Sequence, residues 1–161
     1  MAFADLIGAA IGVMLLVIVA YLLVGSTIST AEIVTNAQKA AALQDQVQLR
    51  TGFTISDVNV DQSTINCTVK NTGSEIISDF THVDFIVFDR NTSAGYITYT
   101  YNSGISPGTW TIIDKSGEVI HLSELDPGES YKFQVTTLGT DPTWFQITTG
   151  NGVYESILIR G

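Results

Sequence analysis

The side chains in this sequence that could do acid–base chemistry are few, and their spacing does not bring them together. The histidines His82 and His121 each fall in a segment with the alternating pattern of a β-strand, and neither has a nucleophilic partner in a known motif. Asp79, Asp84 and Asp89 are five residues apart, which puts successive members on opposite faces of a strand and not around a calcium ion. The sequence therefore predicts a protein that is not an enzyme and that has no metal or cofactor site.

The other side chains that could react or bind a ligand are one cysteine and a cluster of aromatic residues. Cys67 has no second cysteine to pair with, and the alternating pattern around it predicts a small buried side chain. The aromatic cluster contains Tyr96, Tyr99, Tyr101 and Trp110. Tyr99 and Tyr101 share one strand face, so an outward-facing pair would suit an exported module that binds sugar or protein. The alternative is that half of the cluster lies in the core and half covers a sheet edge.

Two Asn-x-Ser/Thr triplets are candidate sites of N-glycosylation. Asn66 lies in a predicted strand, whereas Asn91 lies in a predicted turn. A glycan is bulky and belongs on a protein surface, so Asn91 is the better acceptor. A glycan at Asn91 would place this part of the chain outside the cell.

An uncharged apolar run near the start of the chain is the longest feature of the sequence. Residues 6–24 include twelve Leu, Ile or Val among nineteen residues. As a helix they would span about 28 Å, close to the roughly 30 Å of bilayer hydrocarbon, and would favour insertion by roughly 4 to 7 kcal/mol. A removable signal peptide is the alternative, but residues 1–5 carry no Lys or Arg and the apolar core is too long. The sequence predicts a transmembrane helix that is retained.

Gly8 and Gly12 form a GxxxG pair within this run. Small residues four apart let a second helix approach closely, although Gly and Ala are also common in membrane helices for no such reason. The residues predicted to face lipid or another helix are Leu6, Gly8, Gly12, Leu15, Leu16, Ile18 and Leu22.

The helix is predicted to continue beyond the apolar run as an Ala- and Gln-rich stalk. Ile33, Ala37, Ala40, Gln44 and Val47 recur at steps of four and three, as in a short heptad seam. Gly52 is a natural helix terminator. Residues 1–51 are thus expected to form one helix, about 65 Å long for its roughly 45 helical residues, unless the chain kinks at residues 25–27.

From residue 52 to the end the hydrophobic period falls to two, and strong turn signals separate the segments. Eight or nine short strands without a helical period between them predict an immunoglobulin-like antiparallel β-sandwich over residues 52–161. The fold class is therefore α+β, a long N-terminal hydrophobic helix followed by a sandwich. The predicted strands are 53–60, 63–70, 81–89, 95–101, 109–114, 117–122, 130–138, 144–149 and 153–159.

The charge of the predicted sandwich excludes one class of partner. Residues 51–161 contain 13 Asp and Glu against five Lys and Arg, a net charge of −8. Such a surface repels nucleic acid and anionic lipid head groups. Acidity of this kind fits a soluble, exported or salt-adapted surface.

In layout, the whole chain resembles the archaeal type IV pilin-like class, and within it the accessory proteins F and G of the archaellum, the archaeal flagellum. The opening residues 1–5, which run directly into the apolar helix, are similar to protein F, as is the segment 65–69 followed by Lys-Asn-Thr-Gly-Ser at 70–74. The Leu-Asp-Pro-Gly-Glu turn at 125–129 is shared more widely by prokaryotic immunoglobulin-like domains, so it supports the fold.

The resemblance implies a non-catalytic protein anchored in the cytoplasmic membrane, with an extracytoplasmic sandwich that binds the surface layer as a stator. Its implied partners are the membrane, the surface-layer protein or other archaellum or pilus subunits, and further copies of itself. The alternative is an archaellin or type IV pilin-like subunit of an extracellular filament, whose helices bundle as the filament core. That class has a basic leader and often an early Glu, whereas this sequence has no such leader and its early acid is Asp5. The anchor is the favoured interpretation because charges interrupt the second half of the helix: Glu32, Lys39, Asp45 and Arg50.

Overall fold

The computed structural model describes residues 2–116, 118, 121 and 123–159. By their contacts the residues form two compact units, Met1–Leu43 and Gln44–Gly161. The predicted domain division after residue 51 stays a prediction. The described residues of the first unit are all helical, and those of the second unit include the last helical turns and the strands named below.

One α-helix, α1 (Ala2–Arg50), accounts for the first 49 described residues. Its sequence contains no proline and is rich in Ala, Leu and Gln, which are strong helix formers. The helix continues through residues 25–27, where the alternative was a kink, and the hydroxyls of Ser26 and Thr27 both donate to the Leu23 carbonyl (3.0 and 2.8 Å). It ends one residue before Thr51, whose hydroxyl donates to the Val47 carbonyl (2.8 Å). The predicted long helix is confirmed.

The described residues form eight strands after the helix, and each agrees with a predicted strand to within about three residues. A 3₁₀ turn, Phe80–His82, precedes the third strand. The strands are β1 Phe53–Asp61, β2 Thr64–Asn71, β3 Asp84–Asp89, β4 Tyr96–Tyr101, β5 Thr109–Asp114, β6 Ser130–Thr136, β7 Pro142–Thr148 and β8 Tyr154–Leu158.

The strands form two antiparallel layers that join along one short seam. One layer has the order β1-β2-β6-β5 and the other β4-β3-β7-β8. The layers meet where β4 and β5 run parallel for two residue pairs, Thr100 with Thr109 and Tyr101 with Trp110. The predicted α+β class with an antiparallel β-sandwich is confirmed, and the parallel seam was not anticipated.

The core lies between the two layers and is built from the inward-facing residues of alternating strands. In β2 the inward residues are Ile65, Cys67 and Val69, all buried. Trp110 occupies the centre, with its ring 5.0 Å from those of Phe85, Tyr101 and Phe133. Its indole N–H donates to the Val83 carbonyl (3.0 Å), so the large side chain is buried without an unpaired donor.

Two strand predictions differ from the structure. The strand predicted for 81–89 begins only at Asp84, because the Asp79 carboxylate accepts the Thr81 N–H and caps the 3₁₀ turn before it. His82 therefore lies in that turn and not in a strand. Of the strand predicted for 117–122, residues 117, 119, 120 and 122 lie outside the described residues, and His121 lies in a bend.

Candidate functional site

The apolar half of α1 is the most distinctive surface of the molecule. A window of 18 residues within Phe3–Arg50 has a mean hydropathy of 2.8, and by length and composition the helix could cross a membrane. Its large side chains are exposed on every side, with Leu6 71% and Leu22 63% exposed. A helix that is apolar all round needs lipid or other helices as its solvent. All of the predicted contact residues lie on this exposed part: Leu6, Gly8, Gly12, Leu15, Leu16, Ile18 and Leu22.

The two glycines of the GxxxG pair leave open space beside the helix. Apart from the chain neighbours of each glycine and the nearby helix backbone, no atom of the described residues lies within 4 Å of a Cβ built at Gly8 or Gly12. The pair therefore offers a shallow flat strip to a second helix. Its role in packing stays a prediction.

The polar residues that follow the apolar run satisfy their hydroxyl groups within the helix. Thr30 donates to the Ser26 carbonyl (2.9 Å) and Thr35 donates to the Ala31 carbonyl (2.8 Å). Such hydroxyls can lie near a membrane surface without an unpaired donor. The first charged side chain after Asp5 is Glu32, which marks the end of the uncharged stretch.

The C-terminal end of α1 is bound to the loop between β2 and the 3₁₀ turn. The last helical carbonyl, that of Arg50, accepts the N–H groups of Ser74 (2.8 Å) and Glu75 (3.2 Å). The Gly52 carbonyl accepts those of Thr72 (2.9 Å) and Gly73 (2.8 Å). The bonds to Arg50 satisfy a carbonyl that the end of the helix leaves without a partner.

A second loop, between β7 and β8, binds the same end of the helix through one asparagine. The Gln48 side chain donates to the Asn151 carbonyl (2.6 Å), and the Asn151 amide donates to the Thr51 hydroxyl (2.7 Å). In the sequence, residues 150–152 form a Gly-Asn-Gly turn signal, and nothing marks Asn151 as a contact of the helix. Nothing in the local pattern shows that this turn contacts a residue about 100 positions earlier in the chain, as the structure does for Thr51.

The aromatic cluster belongs mainly to the core, which overturns the outward-facing interpretation. Tyr99 and Trp110 are fully buried, and the Tyr99 hydroxyl accepts the Leu138 N–H (3.1 Å). Burial raises the pKa of Tyr99. Tyr101 is half-buried against Trp110, and Tyr96 is exposed. Tyr99 and Tyr101 therefore cannot form an exposed pair, and the division of the cluster between core and surface is the alternative that holds.

Each of the two histidines lies beside a carboxylate that is close to it in the sequence. His82 Nδ1 lies 2.7 Å from an exposed carboxylate oxygen of Asp79, and His121 Nδ1 lies 3.1 Å from that of the buried Asp126. Hydrogen bonds from Thr81 and then from His82 hold the pKa of Asp79 below its ordinary value. Each pair joins two residues of the same short segment. Among the described residues there is no group of three or more His, Cys, Asp or Glu side chains placed to bind a metal.

Cys67 is buried, as predicted, with 2% of its surface exposed. Burial raises the pKa of its thiol to about 12. A thiol that is neutral and enclosed is a poor nucleophile. Cys67 is a core residue.

The two glycosylation candidates have very different surroundings. Asn66 lies in β2, paired on one side with Asn59 of β1 and on the other with Gln134 of β6. Its side-chain oxygen is buried and has no hydrogen-bond partner among the described residues. Asn91 is exposed in the loop between β3 and β4.

The outer strands of the two layers leave a groove between them. β1 and β8 stand at the two ends of the strand order, and a groove of about 590 Å³ lies beside both. Its lining mixes apolar and polar side chains, among them Val58, Val60, Asp141 and Leu158. Edge strands in general present backbone groups that are not paired within their own sheet. The sequence pattern could not show which strands would stand at the edges.

Comparisons with known proteins support the fold. No family model matches the chain. A protein of uncharacterised function from Archaeoglobus fulgidus is 29% identical over 159 residues, which cover 97% of this chain and 94% of that protein. The solved structure of the archaellum periplasmic stator protein FlaG from Sulfolobus acidocaldarius aligns with a TM-score of 0.52 and 23% identity over 68% of this chain and 99% of that one. The stator complex of FlaF and FlaG from the same organism aligns with a TM-score of 0.49 and 23% identity over 66% of this chain and 87% of that one. The expected likeness to archaellum accessory proteins is confirmed for the fold by the FlaG structure.

Proposed function

We propose that this chain is a non-catalytic, membrane-anchored component of the archaellum machinery. The apolar half of α1 is the anchor, and the β-sandwich lies outside the cytoplasmic membrane and binds the surface layer as a stationary part. One combination supports this proposal above all. A helix that is apolar on every side precedes a sandwich with the fold of an archaellum periplasmic stator protein.

The distribution of charge supports an anchor. The uncharged part of the helix is long enough to cross about 30 Å of hydrocarbon, whereas Glu32, Lys39 and Asp45 are exposed on the part that follows. The apolar surface of a membrane helix ends where the helix leaves the lipid. A helix in a filament core is surrounded by neighbours along most of its length, so charges in the second half would be costly there.

The bonds at the end of α1 support a load-bearing role for the sandwich. Two loops hold the last turns of the helix through backbone and side-chain hydrogen bonds, including those of Arg50 and Asn151. A stator must resist force, and a joint with several hydrogen bonds resists bending better than a flexible linker.

The test is a fractionation of native cells. We expect the full-length protein to remain in the membrane fraction after a carbonate wash and to be digested by protease once the surface layer is opened. We also expect it to co-purify with the surface-layer protein after crosslinking, and its deletion to abolish swimming while filament subunits are still made. Recovery in the cytosol, or protection of the sandwich from external protease, would overturn the proposal.

The alternative is a subunit of an archaellin- or pilin-like filament, and one observation favours it. The open strip at Gly8 and Gly12 suits close packing between helices. Shearing separates the two functions, because a filament subunit is released with the filaments and carries a new N-terminus if a leader has been removed. An anchor stays with the cells. Replacing both glycines by Leu should abolish assembly of a filament subunit but leave the membrane attachment of an anchor intact.

A further inference from the structure

The loop between β3 and β4 carries an acceptor sequence for glycan whose surroundings differ from those of the other such sequence in the chain. We propose that Asn91 is N-glycosylated in the native protein and that Asn66 is not. This inference rests on the proposed function, because the donor of the glycan is found outside the cytoplasmic membrane.

The position of Asn91 suits the transfer reaction. Asn91 and Ser93 are both exposed, and the Ser93 hydroxyl makes no hydrogen bond to the described residues. The Asn91 amide donates to the Thr140 hydroxyl (3.1 Å), an exposed bond that a rotation of the side chain would release. The two groups that a transferase must reach are therefore accessible in the folded chain.

Hydrogen bonds to Asp89 hold the loop that carries Asn91 and Ser93. The buried Asp89 carboxylate accepts the Asn91 N–H (2.8 Å), and the Asp89 carbonyl accepts the Thr92 hydroxyl (3.2 Å). The hydroxyl of the middle residue is thus turned back towards the strand. Asn91 and Ser93 remain at the surface, where a large substituent meets no strand.

Asn66 meets these requirements less well, because it is only partly exposed. It lies in the second of four hydrogen-bonded strands, with Asn59 beside it on β1 and Gln134 beside it on β6. Its amide oxygen is shut off from solvent. The backbone around Asn66 is held by a paired strand on each side, so this segment stays unmodified once β1, β2 and β6 have paired.

The reaction is a group transfer from a lipid-linked oligosaccharide. A bond forms between Asn91 Nδ2 and the anomeric carbon of the first sugar, and the bond from that carbon to the lipid phosphate breaks. The phosphate keeps the bonding electron pair and leaves on the lipid, while the amide nitrogen gives up one proton to a base of the transferase. The chain itself is only the acceptor.

The experiment is mass spectrometry of the full-length protein isolated from its own membranes. Trypsin cleaves after Arg50, Lys70, Arg90 and Lys115, so the two acceptors fall in separate peptides, 51–70 and 91–115. We expect the glycan mass on peptide 91–115, or on 71–115 where the glycan blocks cleavage at Arg90, and no added mass on 51–70. Asn91→Gln and Ser93→Ala should remove the modification, and the control Ser93→Thr should keep it.

Protease accessibility is measured in the same cells, so that the two proposals can be separated. An unmodified Asn91 in a sandwich that external protease digests would overturn the glycosylation and leave the proposed function standing. An unmodified Asn91 in a protected sandwich would overturn both. A glycan on Asn66 would overturn the assignment of the single acceptor.

Discussion

At the scale of the residue, buried polar side chains hold the loops of the sandwich in place. Asn71 is fully buried at the end of β2, where its amide donates to the carbonyls of Glu75 and Leu125 (both 2.8 Å). Its side-chain oxygen accepts the Gly73 N–H (3.0 Å). One side chain therefore bonds three backbone groups of this region, and the Gly73 N–H and the Leu125 carbonyl each have a backbone partner as well. The same loop receives the end of α1.

Asn71→Asp should destabilise the protein strongly. The substitution replaces a double donor by a carboxylate that faces two carbonyl oxygens, and the loss should be about 3 kcal/mol. Asn102→Asp is the matched control, because Asn102 is exposed and only accepts the Gly104 N–H, which a carboxylate also does. The control should change stability by less than about 0.5 kcal/mol. Urea unfolding in mild detergent, followed by tryptophan fluorescence, measures both, and equal losses would contradict the role of Asn71.

The raised pKa of the Cys67 thiol predicts that the folded protein loses stability at alkaline pH. Its pKa rises from the ordinary 9.0 to about 12 in the folded protein, so between these values the folded state keeps a proton that the unfolded state releases. The stabilisation is fully present below pH 9.0 and is lost as the pH rises, by about 1.4 kcal/mol for each pH unit. Unfolding measured at pH 8, 9.5 and 11 should therefore show the difference in stability between the native protein and Cys67→Ala shrink with pH. A difference in stability that stays constant with pH would contradict the raised pKa of Cys67.

The burial of a single residue could be predicted where one face of its strand is clearly polar. Cys67 alternates with Asn66 and Thr68, so its burial followed from the sequence. In β4 both faces carry apolar or aromatic residues, with Tyr96 on one and Tyr99 on the other. The period of two shows that Tyr99 and Tyr101 share a face, but only the packing against β5 and the opposite layer shows that this face is the inner one.

At the scale of the element, the joint between α1 and the sandwich depends on a close approach of two backbones. A Cβ at Gly73 would overlap the Arg50 carbonyl oxygen and the Gly52 nitrogen. Gly73→Ala should therefore cost about 1 to 3 kcal/mol and expose the amides of residues 72–75 to hydrogen exchange. Gly104→Ala is the control, because nothing lies within 4 Å of a Cβ built there. Unchanged protection of residues 72–75 in Gly73→Ala would show that the backbones are not in contact.

The helix and most strands could be predicted from the sequence, whereas the ends of the strands and their pairing could not. Alternation from Val83 through Val87 predicted β3, but the same pattern extends back to Thr81 and conceals the turn that Asp79 caps. The turn is held from the inside as well, because the buried Phe80 ring lies 6.1 Å from the rings of Tyr131 and Phe133. The parallel seam between β4 and β5 depends on how the two layers meet, which no local pattern contains.

At the scale of the whole molecule, apolar surface and charge are divided along the chain. Residues 6–24 carry no charge, whereas residues 51–161 carry a net charge of −8. The sandwich buries its own apolar residues in one core, so its surface has no need of lipid. The exposed large hydrophobic side chains are concentrated in the first half of α1. Such a division suits a protein that meets two different solvents, hydrocarbon at one end and water at the other.

Charges placed in the apolar half of α1 should therefore detach the protein from the membrane. An Arg at the centre of a membrane helix costs about 2.5 to 3.5 kcal/mol, so Leu15→Arg with Ile18→Arg costs about as much as the roughly 4 to 7 kcal/mol gained by insertion. The matched control is Val34→Arg with Leu43→Arg, two exposed positions on the second half of the same helix. Quantitative blotting of membrane and soluble fractions should show the first pair largely lost from the membrane and the second pair retained. Loss with both pairs would favour a bundled helix core over an anchor, and retention with both would show that α1 is not inserted.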